Sequence, residues 1–230
     1  MGKNIIIISG SPRVGGNSDA ATDFTVRELE KRGASVEVFR VRDETIAPCV
    51  GCDACMGERE ICIHSDSAAE LIERVFHADA VLLAAPLYFM GVPGAVKVLF
   101  DRFYVHYNFV KGLKTPQPQR KAGVVFCYGG SPDDVLHRAS EYVAYCFRDL
   151  GYGSFDAAYC PLCKDKTTFS QTAEYQNRVA ALADWLVSDE TQNRSGVSFG
   201  IERDRFADGA EPPEVAAARL ARERIYETKA

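Results

Sequence analysis

The chain has 230 residues, 47% of them hydrophobic and 26% charged, with a formal net charge of -5. That size and balance fit one soluble domain with an appended tail. The acidic charge and the lack of a basic patch argue against nucleic acid or an anionic membrane as partner, and no apolar run is long enough to span a bilayer.

Residues 4–8, Asn-Ile-Ile-Ile-Ile, predict a central parallel strand apolar on both faces. A helix follows over about 19–31, with Asn17 or Ser18 as N-cap and Gly33 as the stop. "ASVEVFRV" reads as a second strand, and then comes a stretch with four thiols, "APCVGCDACMGEREIC". A short helix near 67–76 leads into "DAVLLAAP", a third buried strand, and "VPGAVKVLFDRFY" predicts a helix with Pro93 in its first turn. "KAGVVFCYGG" is a fourth strand, "DDVLHRASEYVAYCFRDLG" a helix ending at Gly151, "YGSFDAAYC" a fifth strand and "SQTAEYQNRVAALADWLVSD" a last core helix. Five strands alternating with helices imply an α/β fold, a parallel sheet wound on both faces.

In such sheets ligands bind beyond the carboxyl ends of the strands, where the strand order reverses. Three loops matter there. After the first strand, "SGSPRVGGNS" has glycines at 10, 15 and 16 that let backbone amides turn inward, hydroxyls from Ser11 and Ser18, the Asn17 amide and the Arg13 fork, ahead of a helix N-terminus. That set favours a phosphate, although it matches neither G-x-G-x-x-G nor the P-loop. After the third strand, Pro86, Leu87, Tyr88, Phe89 and Met90 form a mostly apolar wall that suits a flat ring. After the fourth, Gly129 and Gly130 permit close backbone approach to a ring edge. Phosphate at one loop and a planar ring between the other two describe a mononucleotide, and FMN fits best.

"GSPRVGGNS", "APLYFMGVPGAVKVLFDR" and the cysteine run resemble the flavodoxin-like NAD(P)H-dependent FMN reductase family, and more narrowly its iron–sulfur flavoprotein branch. The resemblance covers residues 3–188 as an order of elements. It implies a flavodoxin-like sheet. It also implies an FMN phosphate held by Ser11, Arg13, Asn17 and Ser18, a flavin ring flanked by residues 86–90 with Gly129 and Gly130 at its pyrimidine edge, and a homodimer or homotetramer. The chain departs from the pattern after the fourth cysteine, where "IHSDS" leaves only Asp66 in place of paired aspartates, and at Cys127, where a small polar residue is common.

Cys49, Cys52, Cys55 and Cys62 have the spacing C-x2-C-x2-C-x6-C. Two-residue gaps let three thiolates come from one tight loop, and the longer gap lets the chain return with a fourth. This set suits a 4Fe–4S cluster and resembles the compact motif of iron–sulfur flavoproteins. Tetrahedral zinc is the rival, more often built from two separated pairs; partial use of the thiols is the third possibility. Cys160 and Cys163 form a C-x-x-C after the fifth strand, either a redox dithiol or half a metal site. Cys127 and Cys146 read as core residues, Asp101 and Arg102 as an end-of-helix ion pair, and residues 102–110 as core, a flavin lip or a subunit interface. The four histidines show no metal spacing.

The domain is expected to span 1–188, with the cysteine-rich insertion at 47–63; residues 189–230 read as a linker and a charged C-terminal helix. With no signal peptide evident, a cytoplasmic location is expected. The functional expectation is an FMN-dependent oxidoreductase, passing electrons from NAD(P)H or ferredoxin to a small molecule or redox protein through the cluster. A clusterless NAD(P)H-dependent reductase of quinones, nitro compounds or flavin is the first alternative. A flavodoxin-type carrier without enzymatic activity and a zinc-stabilised binding protein are the others.

Overall fold

The structure, a computed structural model, describes residues 2–56, 61–106, 116–130 and 133–192. Five strands form one parallel sheet: β1 (Asn4–Ser9), β2 (Ser35–Arg40), β3 (Ala80–Pro86), β4 (Gln117–Cys127) and β5 (Tyr152–Cys160), in the order β2-β1-β3-β4-β5. This is the flavodoxin-like order, and it reverses between β1 and β3. The helices are α1 (Asn17–Lys31), α2 (Ser67–His77), α3 (Gly94–Arg102), α4 (Asp133–Asp149), the short α5 (Thr168–Gln171) and α6 (Ala173–Val187).

The apolar runs behave as parallel-strand physics requires. Ile5 to Ile8 are wholly inaccessible to solvent, as are Ala80 to Ala85, because helices cover both faces of the sheet. One face carries a cluster of Ile5, Ile7, Leu82, Leu182 and Trp185, which packs α1 and α6 onto the sheet. On the other, Phe100, Phe103, Phe147 and Tyr152 stack edge to face and obliquely. Phe103 and Val105 are buried there, so these two residues of the 102–110 aromatic run are core, while Tyr104 and His106 are half-buried.

Buried lysine fixes the end of α6. Lys121, in β4, is 1% exposed and donates to the carbonyls of Trp185 and Ser188 and to Ser188 Oγ, with its ammonium 4.8 Å from the Trp185 ring centroid. Lys3 donates to Ser188 O at 2.8 Å. Two cations thus satisfy the last carbonyls of a helix, where the backbone dipole is negative.

Several boundaries move. α1 begins at Asn17 and Gly16 is its N-cap, replacing the expected Asn17 or Ser18, because the Asn17 carboxamide is engaged elsewhere. The helix after Pro93 stops at Arg102 and tightens into a 3-10 turn over Phe103–His106. β4 starts four residues earlier than "KAGVVFC", at Gln117, and a short α5 precedes α6. The chain still touches the domain beyond Ser188, since Ser154 Oγ donates to Thr191 O and Trp185 Nε1 to Gln192 O. The expected C-terminal helix lies outside the described residues, as do residues 107–110.

Candidate functional site

β1, β3 and β4 are neighbours in the sheet, so the loops that leave their carboxyl ends share one edge beside the order reversal. The first of these loops is organised by its own atoms. Ser11 Oγ, nearly buried, accepts from Arg13 N–H at 3.2 Å and donates to Arg13 O at 3.1 Å. Gly15 takes the left-handed region at φ 68°, which lets the chain turn into α1. Gly16 caps α1 in extended conformation with no side-chain hydrogen bond, so the first amides of the helix are left to an external acceptor. Ser18 is buried in the first turn and Arg13 is exposed beside it. Ser9, the last residue of β1, has a buried Oγ with no hydrogen-bond partner among the described residues. An uncapped helix start, serine hydroxyls and a free guanidinium fit a phosphate monoester.

Two expectations for this loop change. Gly10 does not turn its amide inward: its N–H donates to Ala84 O at 2.8 Å, and a Cβ there would lie 2.6 Å from Val96 Cγ2. It is a close-packing glycine between β1, β3 and α3. Asn17 uses both ends of its carboxamide to tether the segment before α5, with Nδ2 donating to Asp165 O at 2.6 Å and Oδ1 accepting from Phe169 N–H at 2.8 Å.

Two charged residues went unnoticed in the sequence. Asp19 is buried; it accepts from Gly15 N–H at 2.8 Å through one oxygen and pairs with Arg42 at 2.6 Å through the other. The pair braces the loop from behind. An acidic residue in the first turn of a helix was the available signal for Asp19. Arg42 follows β2, and only the tertiary fold brings it there.

The second loop is a two-residue hairpin. Tyr88 and Gly91 exchange backbone hydrogen bonds at 2.9 and 3.1 Å, and Phe89 and Met90 between them both have positive φ, 42° and 69°. Non-glycine residues seldom adopt that conformation, and strain of this kind clusters at ligand sites. The Phe89 side chain is fully exposed and that of Met90 largely so. Leu87 is half-buried, whereas Pro86 is the buried last residue of β3, in register with Cys127. The third loop carries Gly129 and Gly130, both exposed, with open space where a Cβ would stand.

The thiol-rich segment is fastened at its base. Arg102 donates from Nη1 to Ala47 O and Asp66 Oδ2 at 2.8 and 2.9 Å, and from Nη2 to Asp66 Oδ1 at 3.0 Å. Burial opposes its charge, but Asp66 and the neighbouring Cys62 raise its pKa above the ordinary value. Asp66 accepts from Ala47 N–H and caps α2 through Ala69 N–H, each at 3.1 Å. Burial opposes ionisation of Asp66, but the Arg102 hydrogen bonds and the two amides outweigh it and hold the carboxyl at about 2. The expected Asp101–Arg102 pair is therefore replaced: Asp101 pairs with Lys97 on the outer face of α3, and Arg102 points inward to Asp66. Consecutive residues of a helix point about 100° apart, which separates those directions.

Within the segment, Gly51 and Asp53 take positive φ and Ala54–Met56 forms a 3-10 turn. Cys49 and Cys52 are exposed, Cys55 and Cys62 half-buried. Four thiols are a suitable donor set for an iron–sulfur cluster, yet among the described residues no three Cys, His, Asp or Glu side chains are gathered in ligating geometry. No helix among the described residues is long and apolar enough to cross a membrane.

The chain is 34% identical over 132 residues to an iron–sulfur flavoprotein of Archaeoglobus fulgidus, a match covering 56% of each chain. It thus spans about half the length of that relative. Two solved structures share the fold: an NAD(P)H:quinone oxidoreductase from Methanothermobacter marburgensis (TM-score 0.64, 16% identity, 80% of this chain and 96% of that one), and an FMN-dependent NADH-azoreductase from Bacillus anthracis in complex with FMN (TM-score 0.62, 14% identity, 81% and 100%). The family model described as NADPH-dependent FMN reductase matches residues 3–142, more than half the chain and all three of the loops built above, and the chain belongs to that family.

Proposed function

We propose that this chain is an FMN-dependent oxidoreductase that takes electrons from NAD(P)H or ferredoxin and passes them to a small molecule or redox protein. The observation that carries the reading is one sheet edge with an uncapped helix start on one strand and an exposed, left-handed aromatic hairpin on the next. Ser11, Arg13, Ser18 and the first amides of α1 would hold the phosphate. Leu87, Tyr88, Phe89 and Met90 would lie against the ring, and Gly129 and Gly130 leave room for its edge. When bound, FMN supplies hydride acceptance and single-electron release. The protein binds it, orients it and excludes water; no side chain is assigned as acid or base.

Cys49, Cys52, Cys55 and Cys62 would hold a 4Fe–4S cluster, which supplies one-electron transfer. The name of the Archaeoglobus relative and the chemistry of four thiolates support this. Arg102 and Asp66 would keep the segment closed at its base and hold Cys62 in place. Exposed Val50, Ile61 and Ile63 flank the thiols and offer an apolar surface to a redox partner or a second subunit. The ungathered thiols favour a second reading, a clusterless NAD(P)H-dependent reductase.

Anaerobic purification with FMN, iron and sulfide counted per chain tests both. One FMN with about four irons and four sulfides supports the first reading. FMN without iron selects the second, and failure to bind FMN after reconstitution removes both.

A further inference from the structure

Three thiols that the flavin reading leaves unused meet where β4 and β5 end. Cys127 and Cys160 are the last residues of those strands and face each other in register across the ladder. The chain then turns back at once. Tyr128 N–H donates to Cys160 O at 3.1 Å, and Cys163 N–H returns to Tyr128 O at 2.9 Å. Leu162 makes the turn by adopting φ 54°, with its side chain left in solvent. Cys163 Sγ consequently lies 3.2 Å from Cys160 O, and Cys163 packs against the cluster that contains Cys127 and Cys160. Cys127 is within electrostatic reach of both of the other thiols in this cluster.

Core packing accounts for Cys127 and Cys160, which are buried. It does not account for Cys163. That thiol is half-exposed, follows a left-handed leucine that faces water, and packs at the edge of the cluster that holds a buried thiol from a different strand. A reachable sulfur backed by an unreachable one is the arrangement of an attacking and a resolving cysteine.

We propose that Cys163 is a reactive thiol with Cys127 as its resolving partner, forming a dithiol–disulfide site for small organic disulfides. The Cys163 thiolate attacks one sulfur of R–S–S–R; the Cys163–S–R bond forms, the R–S–S–R bond breaks and R–S⁻ leaves. Cys127 passes its proton to that thiolate and attacks Cys163 Sγ, so the Cys127–Cys163 bond forms and a second R–S⁻ departs. The two protein sulfurs lose two electrons, and the small disulfide is reduced to one thiol and one thiolate. No cofactor takes part, so the site stands apart from the flavin reading.

Proton placement agrees with these roles. Hydrogen bonding from Cys127, against the effect of burial, lowers the Cys163 thiol, while hydrogen bonds to Cys160 and Cys163, then burial, push Cys127 far up.

The test is peptide mapping by mass spectrometry of the folded full-length chain after exposure to glutathione disulfide at neutral pH. Wild type should yield a Cys127–Cys163 cross-link. In Cys127→Ser that link should be lost and a glutathione adduct should persist on Cys163. Cys163→Ser alters a half-exposed side chain, and in it Cys127 should stay unmodified. A Cys160–Cys163 link overturns the assignment, as does a Cys163 that carries neither adduct nor link while the urea-unfolded chain reacts.

Discussion

Met90 and Phe89 hold side chains of ordinary size in a backbone conformation that costs an L-residue roughly 1–2 kcal/mol. Met90→Gly should therefore raise the stability of the flavin-free protein by up to about 1 kcal/mol, part of the gain being returned as glycine's greater unfolded-state freedom. The same change should weaken FMN binding, read by quenching of flavin fluorescence. A urea midpoint that falls would show that the Met90 side chain packs on the protein itself. Arg13 has its backbone N–H committed to Ser11 and its side chain exposed. Arg13→Ala should weaken FMN binding by roughly 1.5–3 kcal/mol, the worth of a charge-assisted hydrogen bond, with little change in the melting temperature. Unaltered affinity removes Arg13 from the phosphate site.

Loops and helices are joined in this fold by a few polar residues at their ends. Asp66 starts α2, ties down Ala47 and receives Arg102 from the end of α3, so one carboxylate fixes both ends of the thiol-rich segment. Its folded pKa of about 2 lies below the ordinary 3.8. The lowered value means that its contribution, roughly 2 kcal/mol, is complete above about pH 4 and is lost as pH falls through 2. Urea unfolding of wild type and Asp66→Asn should converge on acidification; a gap that stays constant with pH would deny the ion pair this role. At neutral pH, Asp66→Asn should cost that same roughly 2 kcal/mol, because it leaves the Arg102 guanidinium buried without its counter-charge. This anchor was half legible: Asp66 stands where a helix cap belongs, but "FDR" offered Arg102 a nearer carboxylate in Asp101. Helical geometry overrules proximity in sequence.

At the scale of the whole domain, Lys121 and Lys3 hold the last turn of α6 to the sheet from two different strands' worth of chain. Lys121→Met keeps the volume but strips the final carbonyls of α6 of their donor, and should destabilise the domain by about 2–3 kcal/mol. Trp185, the sole tryptophan, touches the lysine and reports the unfolding by fluorescence. A variant as stable as wild type would mean that water replaces the ammonium without loss. Lys121 opens "KAGVVFC", and the extension of β4 back to Gln117 places it inside the strand, where it is buried.

The sequence by itself determined the sheet and its binding edge. Unbroken β-branched runs can only be strands buried on both faces, and helices between them force a parallel winding whose ligand edge is known in advance. Ser11, Arg13, Tyr88, Phe89, Gly129 and Gly130 could be placed on that edge before any coordinates, because each lies directly after such a strand. What the tertiary structure decided were the pairings between distant segments: Asp19 with Arg42, Asn17 with the 165–169 segment, Arg102 with Asp66, and Cys163 with the core cluster that holds Cys127. Local pattern carries no record of these, since a side chain's partner is set by which elements the sheet order brings together, and hydrogen bonds and ion pairs form across whatever gap that order leaves.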